Sequence, residues 1–173
     1  MRRWTDYDLL KNRAKALWLV VGLFLFGRAF QSASKTDAEI KRELKDLPEG
    51  FSISMGLSPA GPRIMFRKKK GALKYKGFGN FPADLEFSFR SLDAAFRVFA
   101  ARTGPVTAFA ENRLTLRGDI ARALPFLRAV HVVEAYLFPA FLLRPIFKSV
   151  PIMDFRRQLQ RLKVLLLGIP FGL

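Results

Sequence analysis

The stretch that decides the fold is residues 83–130, ADLEFSFRSLDAAFRVFAARTGPVTAFAENRLTLRGDIARALPFLRAV. It opens on strict alternation, with Leu85, Phe87 and Phe89 facing one way and Asp84, Glu86 and Ser88 the other, the pattern of a half-buried strand. Ser91 suits the N-cap of a helix over SLDAAFRVFAAR, where Leu92, Ala95, Phe96 and Phe99 share a face. Thr103-Gly104 ends that helix, and Pro105 fits the first turn of a short one over PVTAFAEN. RLTLRG alternates again. Gly118 then supplies a turn and Asp119 a cap for a last helix. Its stripe of Phe126, Val130, Val133 and Leu137 lies beside a polar stripe of Arg128, His131 and Glu134. Nothing in the stretch is equipped to break a bond, and its apolar faces are wider than a small sheet needs. That implies holding an apolar molecule rather than transforming a substrate.

Upstream, Thr36 and Glu39 have capping-box spacing and open a short charged helix, TDAEIKRELKDL, stopped by Pro48 and Gly50. FSISMGL alternates, with Phe51, Ile53, Met55 and Leu57 opposite Ser52, Ser54 and Gly56. The turn SPAGP leads to PRIMFRKKKG, and after Gly71 comes ALKYKG, with Leu73 and Tyr75 opposite Lys74 and Lys76. These hairpin signals predict an antiparallel meander of three strands. A Gly-rich loop carrying Phe78 and Phe81 joins it to the strand at 85–89. The fold class is therefore α+β, and the strands number five.

Composition adds the environment. The chain has 173 residues, long enough to bury a proper core, and half are hydrophobic, with 18 Phe. Thirty basic and 14 acidic side chains give a net charge of +16, which favours an anionic partner, either phospholipid headgroups or nucleic acid. There is no cysteine, so disulfides, thiol catalysis and thiolate metal sites are excluded.

Three parts follow from these shifts. Residues 1–35 are a basic then apolar leader, in which ALWLVVGLFLFG (16–27) carries no charge. Twelve helical residues span about 18 Å, short of the roughly 30 Å of bilayer hydrocarbon. Four readings compete. A signal peptide lacks a clean small-x-small site, Ser32 and Ser34 coming nearest. A spanning anchor needs Arg28 to snorkel. A monotopic helix needs neither. The fourth is a helix packed on the domain core. Residues 36–139 form the folded domain. Residues 140–173 form a basic amphipathic extension, with Phe155, Leu159, Leu162 and Leu166 at helical spacing beside Arg156, Arg157, Arg161 and Lys163. That pattern suits an interfacial membrane segment or packing onto the domain.

Catalysis finds no candidate. His131 is the single histidine and reads as a structural hydrogen-bonder, Asp84 and Glu86 as a solvated strand face. No phosphate loop, dinucleotide fingerprint or nucleophile elbow occurs, and no metal site or cofactor is expected. The tripeptide Arg117-Gly118-Asp119 reads as a turn and a cap. The run Arg63, Arg67, Lys68, Lys69, Lys70, Lys74 and Lys76 fits nucleic-acid phosphates, anionic lipid or a solvated hairpin tip. Lipid is favoured over nucleic acid, because apolar termini serve no purpose on nucleic acid and the sheet lacks an RNA-binding aromatic face.

The order of elements, with Ala83-Asp84-Leu85-Glu86-Phe87-Ser88, then Leu92 and Phe96, then Leu114-Thr115-Leu116-Arg117-Gly118-Asp119, resembles the sterol carrier protein family over roughly residues 45–135. The resemblance implies a five-stranded sheet covered by helices around an apolar tunnel for sterols, acyl chains or similar lipids, with no catalytic residues. The flanking N- and C-terminal apolar and basic helices depart from the soluble carriers and put free diffusion between membranes in doubt. Bacterial relatives of that domain include accessory proteins that hold a polyprenyl-quinone intermediate for partner enzymes of ubiquinone biosynthesis.

The residues expected to line the pocket are Phe87, Phe89, Phe96, Phe99, Leu114, Leu116, Phe126 and Val130, each of which also fits ordinary core. Those expected at a membrane surface are Trp18, Phe24, Arg67, Lys68, Lys69, Lys70, Arg156, Arg157, Arg161 and Lys163. The implied function is non-catalytic binding, transfer or presentation of a hydrophobic lipid at an anionic membrane surface, with partner enzymes of lipid metabolism and the cytoplasmic face of a bacterial inner membrane as its setting. A nucleic-acid-binding protein and a structural membrane-surface protein are the alternatives. A carrier requires a continuous apolar tunnel, and a structural protein a filled core.

Overall fold

The computed structural model of the chain describes residues 6–100 and 102–137, with side chains from residue 13 onward except at 105 and 106. A long helix, α1 (Asp6–Thr36), leads almost directly into α2 (Ala38–Leu44). Strands β1 (Ser52–Leu57), β2 (Arg63–Lys69), β3 (Ala72–Phe78) and β4 (Leu85–Phe89) follow. Then come α3 (Leu92–Phe99), α4 (Pro105–Ala110), β5 (Leu114–Arg117) and α5 (Ile120–Leu137). The five strands make one sheet in the order β3-β2-β1-β4-β5. β1, β2 and β3 form the antiparallel meander read from the turns, β1 and β4 pair in parallel, and β4 pairs with β5 antiparallel. The extension at 140–173, with Arg156, Arg157, Arg161 and Lys163, lies outside the described residues.

Alternation sorts the two faces of the sheet. Ile53, Met55, Ile64, Phe66, Leu73, Leu85, Phe87, Phe89 and Leu114 are buried inward. Arg67, Lys69, Lys74, Lys76 and Arg117 are exposed on the other face. There the Arg63 guanidinium reaches across two strands, donating to Ser54 Oγ at 3.0 Å and Ser88 Oγ at 2.7 Å.

The largest departure from the sequence reading is the leader. By length and composition the span Arg13–Thr36 is apolar enough to cross a membrane, yet half of its most apolar 18-residue window is buried inside the protein. Leu19, Leu23, Phe26, Ala29, Phe30 and Ala33 recur at helical spacing and enter the domain core. A boundary at residue 35 therefore does not separate an independent segment from the domain, and of the four readings the packed core helix describes residues 19–33. Gly27 is what lets α1 approach β3, since a Cβ there would lie 2.6 Å from the Tyr75 ring. The small polar residues near the end of α1 have a structural use as well. Ser34 Oγ accepts from Leu73 N–H and donates to Leu73 C=O, both at 3.2 Å, and Gln31 Oε1 accepts from Tyr75 N–H at 2.9 Å. These bonds satisfy the Leu73 N–H and C=O and the Tyr75 N–H on the otherwise unpaired edge of β3.

Helix caps mostly fall where the sequence puts them. Ser91 Oγ accepts from Ala94 N–H at 3.1 Å, and Asp119 Oδ1 from Ala121 N–H at 2.9 Å. Gly118, at φ +118°, lies so close to Asp84 C=O that a Cβ would sit 2.3 Å from it. The cap of α2 is Asp37 rather than Thr36, because α1 runs on through Thr36 and only Asp37 leaves the helix. Asp37 Oδ1 accepts from Glu39 and Ile40 N–H at 2.8 and 3.0 Å, while its Oδ2 accepts from the Tyr136 hydroxyl of α5.

Lys68 corrects the basic-run reading. Alternation turns it inward, where it is 5 % exposed and its Nζ donates to the carbonyls of Leu44 at 2.7 Å, Lys45 at 3.0 Å and Leu47. It is the cationic cap at the C-terminal end of α2, placed where the helix dipole favours positive charge, and not a surface contact. Lys68→Met removes all three of these charged hydrogen bonds, and urea unfolding should report a loss of about 2 kcal/mol. Lys69→Met, on the exposed face, should change stability by less than about 0.5 kcal/mol.

Candidate functional site

Between α1, α3, α5 and the inner face of the sheet lies a cavity of about 130 Å³. Trp18, Val21, Gly22, Leu25 and Phe26 form its α1 wall, Met55 and Phe89 its floor, Val98 and Phe99 its α3 side, and Val130, Glu134 and Leu137 its α5 side. Its volume resembles that of an apolar protein cavity of about 150 Å³ known to bind benzene. It is neither the continuous tunnel implied by the family resemblance nor a filled core. α1 fills most of the space, because Leu19, Leu23, Phe26 and Phe30 occupy the groove between the sheet and α5.

The expected pocket residues divide accordingly. Phe89, Phe99 and Val130 line the cavity. Phe87 and Phe126 are instead packed together in the core, ring centroids 5.2 Å apart, and Phe126 also stacks on Phe30. Leu114 is buried in that core and Leu116 packs against its edge. Phe96 turns away from the cavity and lies between two cations, Lys15 Nζ and the Arg102 guanidinium, each 5.6 Å from its ring centroid. The cavity residues on α1 escape sequence reasoning, since a leader assigned to a membrane offers no wall to a domain pocket. Their i, i+3, i+4 and i+7 spacing from Trp18 to Leu25 was the available signal.

The rim of the cavity is open to the surface. Trp18 is 48 % exposed and Val21 41 %. They adjoin an exposed apolar face of the same helix, formed by Leu17, Val20, Val21 and Phe24 at helical spacing. Arg13 and Arg28 lie on α1 before and after this face. Of the other residues expected at a membrane surface, Arg67, Lys69 and Lys70 are exposed. Lys70 belongs to the β2–β3 turn, whose Lys70 and Gly71 N–H groups both donate to Glu49 at 2.8 Å and hold its carboxyl below the usual range. α1 is also fixed to α3 by the Lys15–Asp93 ion pair at 2.8 Å, which, with Arg97, holds Asp93 down at about 2.

Among the described residues Glu134 is the one ionisable group in the cavity wall. It belongs to the stripe read as polar and is 6 % exposed, because α1 covers the α5 face it occupies, and its Oε2 lacks a hydrogen-bond partner among the described residues. Burial raises its pKa to about 8, so the carboxyl is mostly protonated at neutral pH. Among the described residues no group of three or more His, Cys, Asp or Glu is placed to hold a metal.

No family model matches the chain and no curated protein matches it. Solved structures similar to it include the solution structure of sterol carrier protein domain 2 of Helicoverpa armigera, with a TM-score of 0.48 and 14 % identity, covering 65 % of this chain and 87 % of that one. A crystal structure of sterol carrier protein 2 gives 0.46 and 20 %, covering 63 % and 93 %. The UbiJ-SCP2 ubiquinone synthesis protein gives 0.41 and 12 %, covering 75 % and 100 %.

The raised pKa of Glu134 makes a signed prediction. Between its ordinary value of 4.5 and about 8, the folded protein keeps a proton that the unfolded chain has released. The stabilising contribution is therefore complete below about pH 4.5, falls as pH rises, and is gone above about 8. Asp84, Asp93 and Glu49 are shifted the other way and act at lower pH. Urea unfolding of wild type and Glu134→Gln at pH 5 and pH 8.5 should show a smaller loss of stability on alkalisation in the variant. Equal losses would refute the assignment.

Proposed function

We propose that the protein binds a hydrophobic lipid without chemically altering it, and does so at a membrane surface. The observation that carries this reading is the apolar cavity opening beside Trp18 and Val21 onto the exposed stripe of Leu17, Val20, Val21 and Phe24. Each methylene taken from water into such a cavity contributes about 0.8 kcal/mol, so a lipid end is held by burial alone. A contiguous apolar helix face at the mouth of a cavity is poorly suited to water. Set on a leaflet, it would let a lipid pass between bilayer and cavity without crossing solvent. Arg13 and Arg28 would then lie at headgroup level, their stems along the apolar surface and their guanidinium groups near lipid phosphate. Only a ring-sized portion fits the cavity as it stands, so the rest of the ligand lies along α1 or in the bilayer.

Two measurements test this. Organic extraction of gently purified protein followed by mass spectrometry should recover a lipid at a substantial mole fraction. Co-sedimentation with phosphatidylcholine vesicles, with and without phosphatidylglycerol, should show binding that strengthens with the anionic lipid. Replacing Leu17, Val20 and Phe24 together by Gln should weaken vesicle binding by about tenfold or more, at a modest cost in thermal stability because Phe24 also packs edge-on against Tyr75 at 6.3 Å. Protein that carries no lipid and ignores vesicles would overturn the proposal.

A further inference from the structure

The cavity wall contains one polar group that burial of hydrocarbon does not use. Glu134 follows Val130 by one helical turn, precedes Leu137, and shares the cavity wall with both. Its Oε2 is buried with no hydrogen-bond partner among the described residues, while the rest of the wall is apolar apart from the indole edge of Trp18. We infer that Glu134 selects the ligand: the cavity receives the hydroxyl-bearing end of a lipid alcohol, aliphatic or phenolic, and pairs it with the Glu134 carboxyl. The inference rests on the lipid-binding reading above and assigns it a ligand class and an orientation, polar end inward and hydrocarbon leaving past Trp18 and Val21.

Complementarity decides the class. A protonated carboxyl both donates and accepts, and so does a hydroxyl, so the pair satisfies both partners. A purely hydrocarbon end leaves Oε2 unpaired. An ammonium end needs two opposite charges brought out of water together, an arrangement whose desolvation penalty competes with its attraction. A carboxylate end must itself leave water as a charge to reach an otherwise apolar wall, a desolvation cost that a hydroxyl does not carry. The volume fits the proposal too, since about 130 Å³ suits a six-membered ring with its hydroxyl and no more.

Matched small probes test it on the full chain. Dissociation constants for toluene and benzyl alcohol are measured by calorimetry for wild type, Glu134→Gln and Glu134→Leu. The preference for the alcohol over the hydrocarbon should fall by about tenfold in Glu134→Leu and persist within about threefold in Glu134→Gln, whose amide still donates and accepts. Toluene binding to Glu134→Leu shows that the cavity is intact in that variant. Infrared spectroscopy of the wild type needs no variant: the carboxyl C=O stretch of Glu134 should move on adding benzyl alcohol and stay fixed with toluene. An unchanged preference in Glu134→Leu, or a stretch indifferent to the alcohol, overturns this inference while toluene binding leaves the lipid cavity standing. Failure of both probes to bind the wild type overturns the cavity reading and this inference with it.

Discussion

The packing of Phe30 organises the rest of the molecule. Its ring stacks on Phe126 of α5 at 5.2 Å and lies 5.3 Å from Phe66 of β2, so one side chain of α1 joins a helix and the centre of the sheet. Phe26, one turn earlier, meets Phe30, Phe66 and Phe99 of α3 edge-on at 5.6 to 6.3 Å. Such aromatic contacts add to the burial of large rings and prefer these offset and edge-on geometries. Without α1 the inner faces of β2 and β3 and the apolar side of α5 would face water. The leader is therefore a core element of the domain.

That packing also sets where the cavity is. Toward its C-terminal end α1 is committed on several sides: Phe26 and Phe30 to the core, Gln31 and Ser34 to the edge of β3, and Asp37 just beyond it to Tyr136. Toward the N-terminal end the commitment thins to Leu19 and Leu23 inward and the Lys15–Asp93 ion pair, with a whole apolar face left outward. An ion pair this exposed contributes little. The cavity and its mouth lie in this second region, beside the side chains of α1 that are least held. The gradient along one helix thus locates the site.

Local rules made much of the fold legible. Alternation over 51–57, 85–89 and 114–117 assigns strands and faces, and Ser91, Gly118 and Asp119 act as their chemistry demands. These signals are contained within a few residues, so no tertiary knowledge is needed. The failures are all tertiary. An apolar stretch such as 16–27 reads identically whether hydrocarbon or protein surrounds it, and only the partner surfaces on β2, β3 and α5 decide. Lys68 sits in a run of cations, and its inward turn follows from register, which composition hides. Glu134 is polar and spaced with Arg128 and His131, and nothing in that spacing shows that α1 is laid over it. Three of the pocket residues chosen from the strands and helices reach the cavity, but its α1 wall was out of reach for the same reason.

The cavity and the unpaired Glu134 carboxyl each cost stability, and they coincide. A cavity of about 130 Å³ leaves its apolar lining without protein atoms to pack against on one side. A buried polar atom left without a partner costs about 1–3 kcal/mol. A larger apolar side chain at position 134 would reduce both at once, filling space and removing the orphan oxygen. Ser34, Asp37 and Lys68 are buried and hydrogen-bonded, and among the described residues the Tyr75 hydroxyl is the one other buried side-chain oxygen without a partner. A ligand with apolar bulk and one hydroxyl would remove both penalties by the same act of binding. That coupling gives the site affinity without a charge and selectivity without a second polar group.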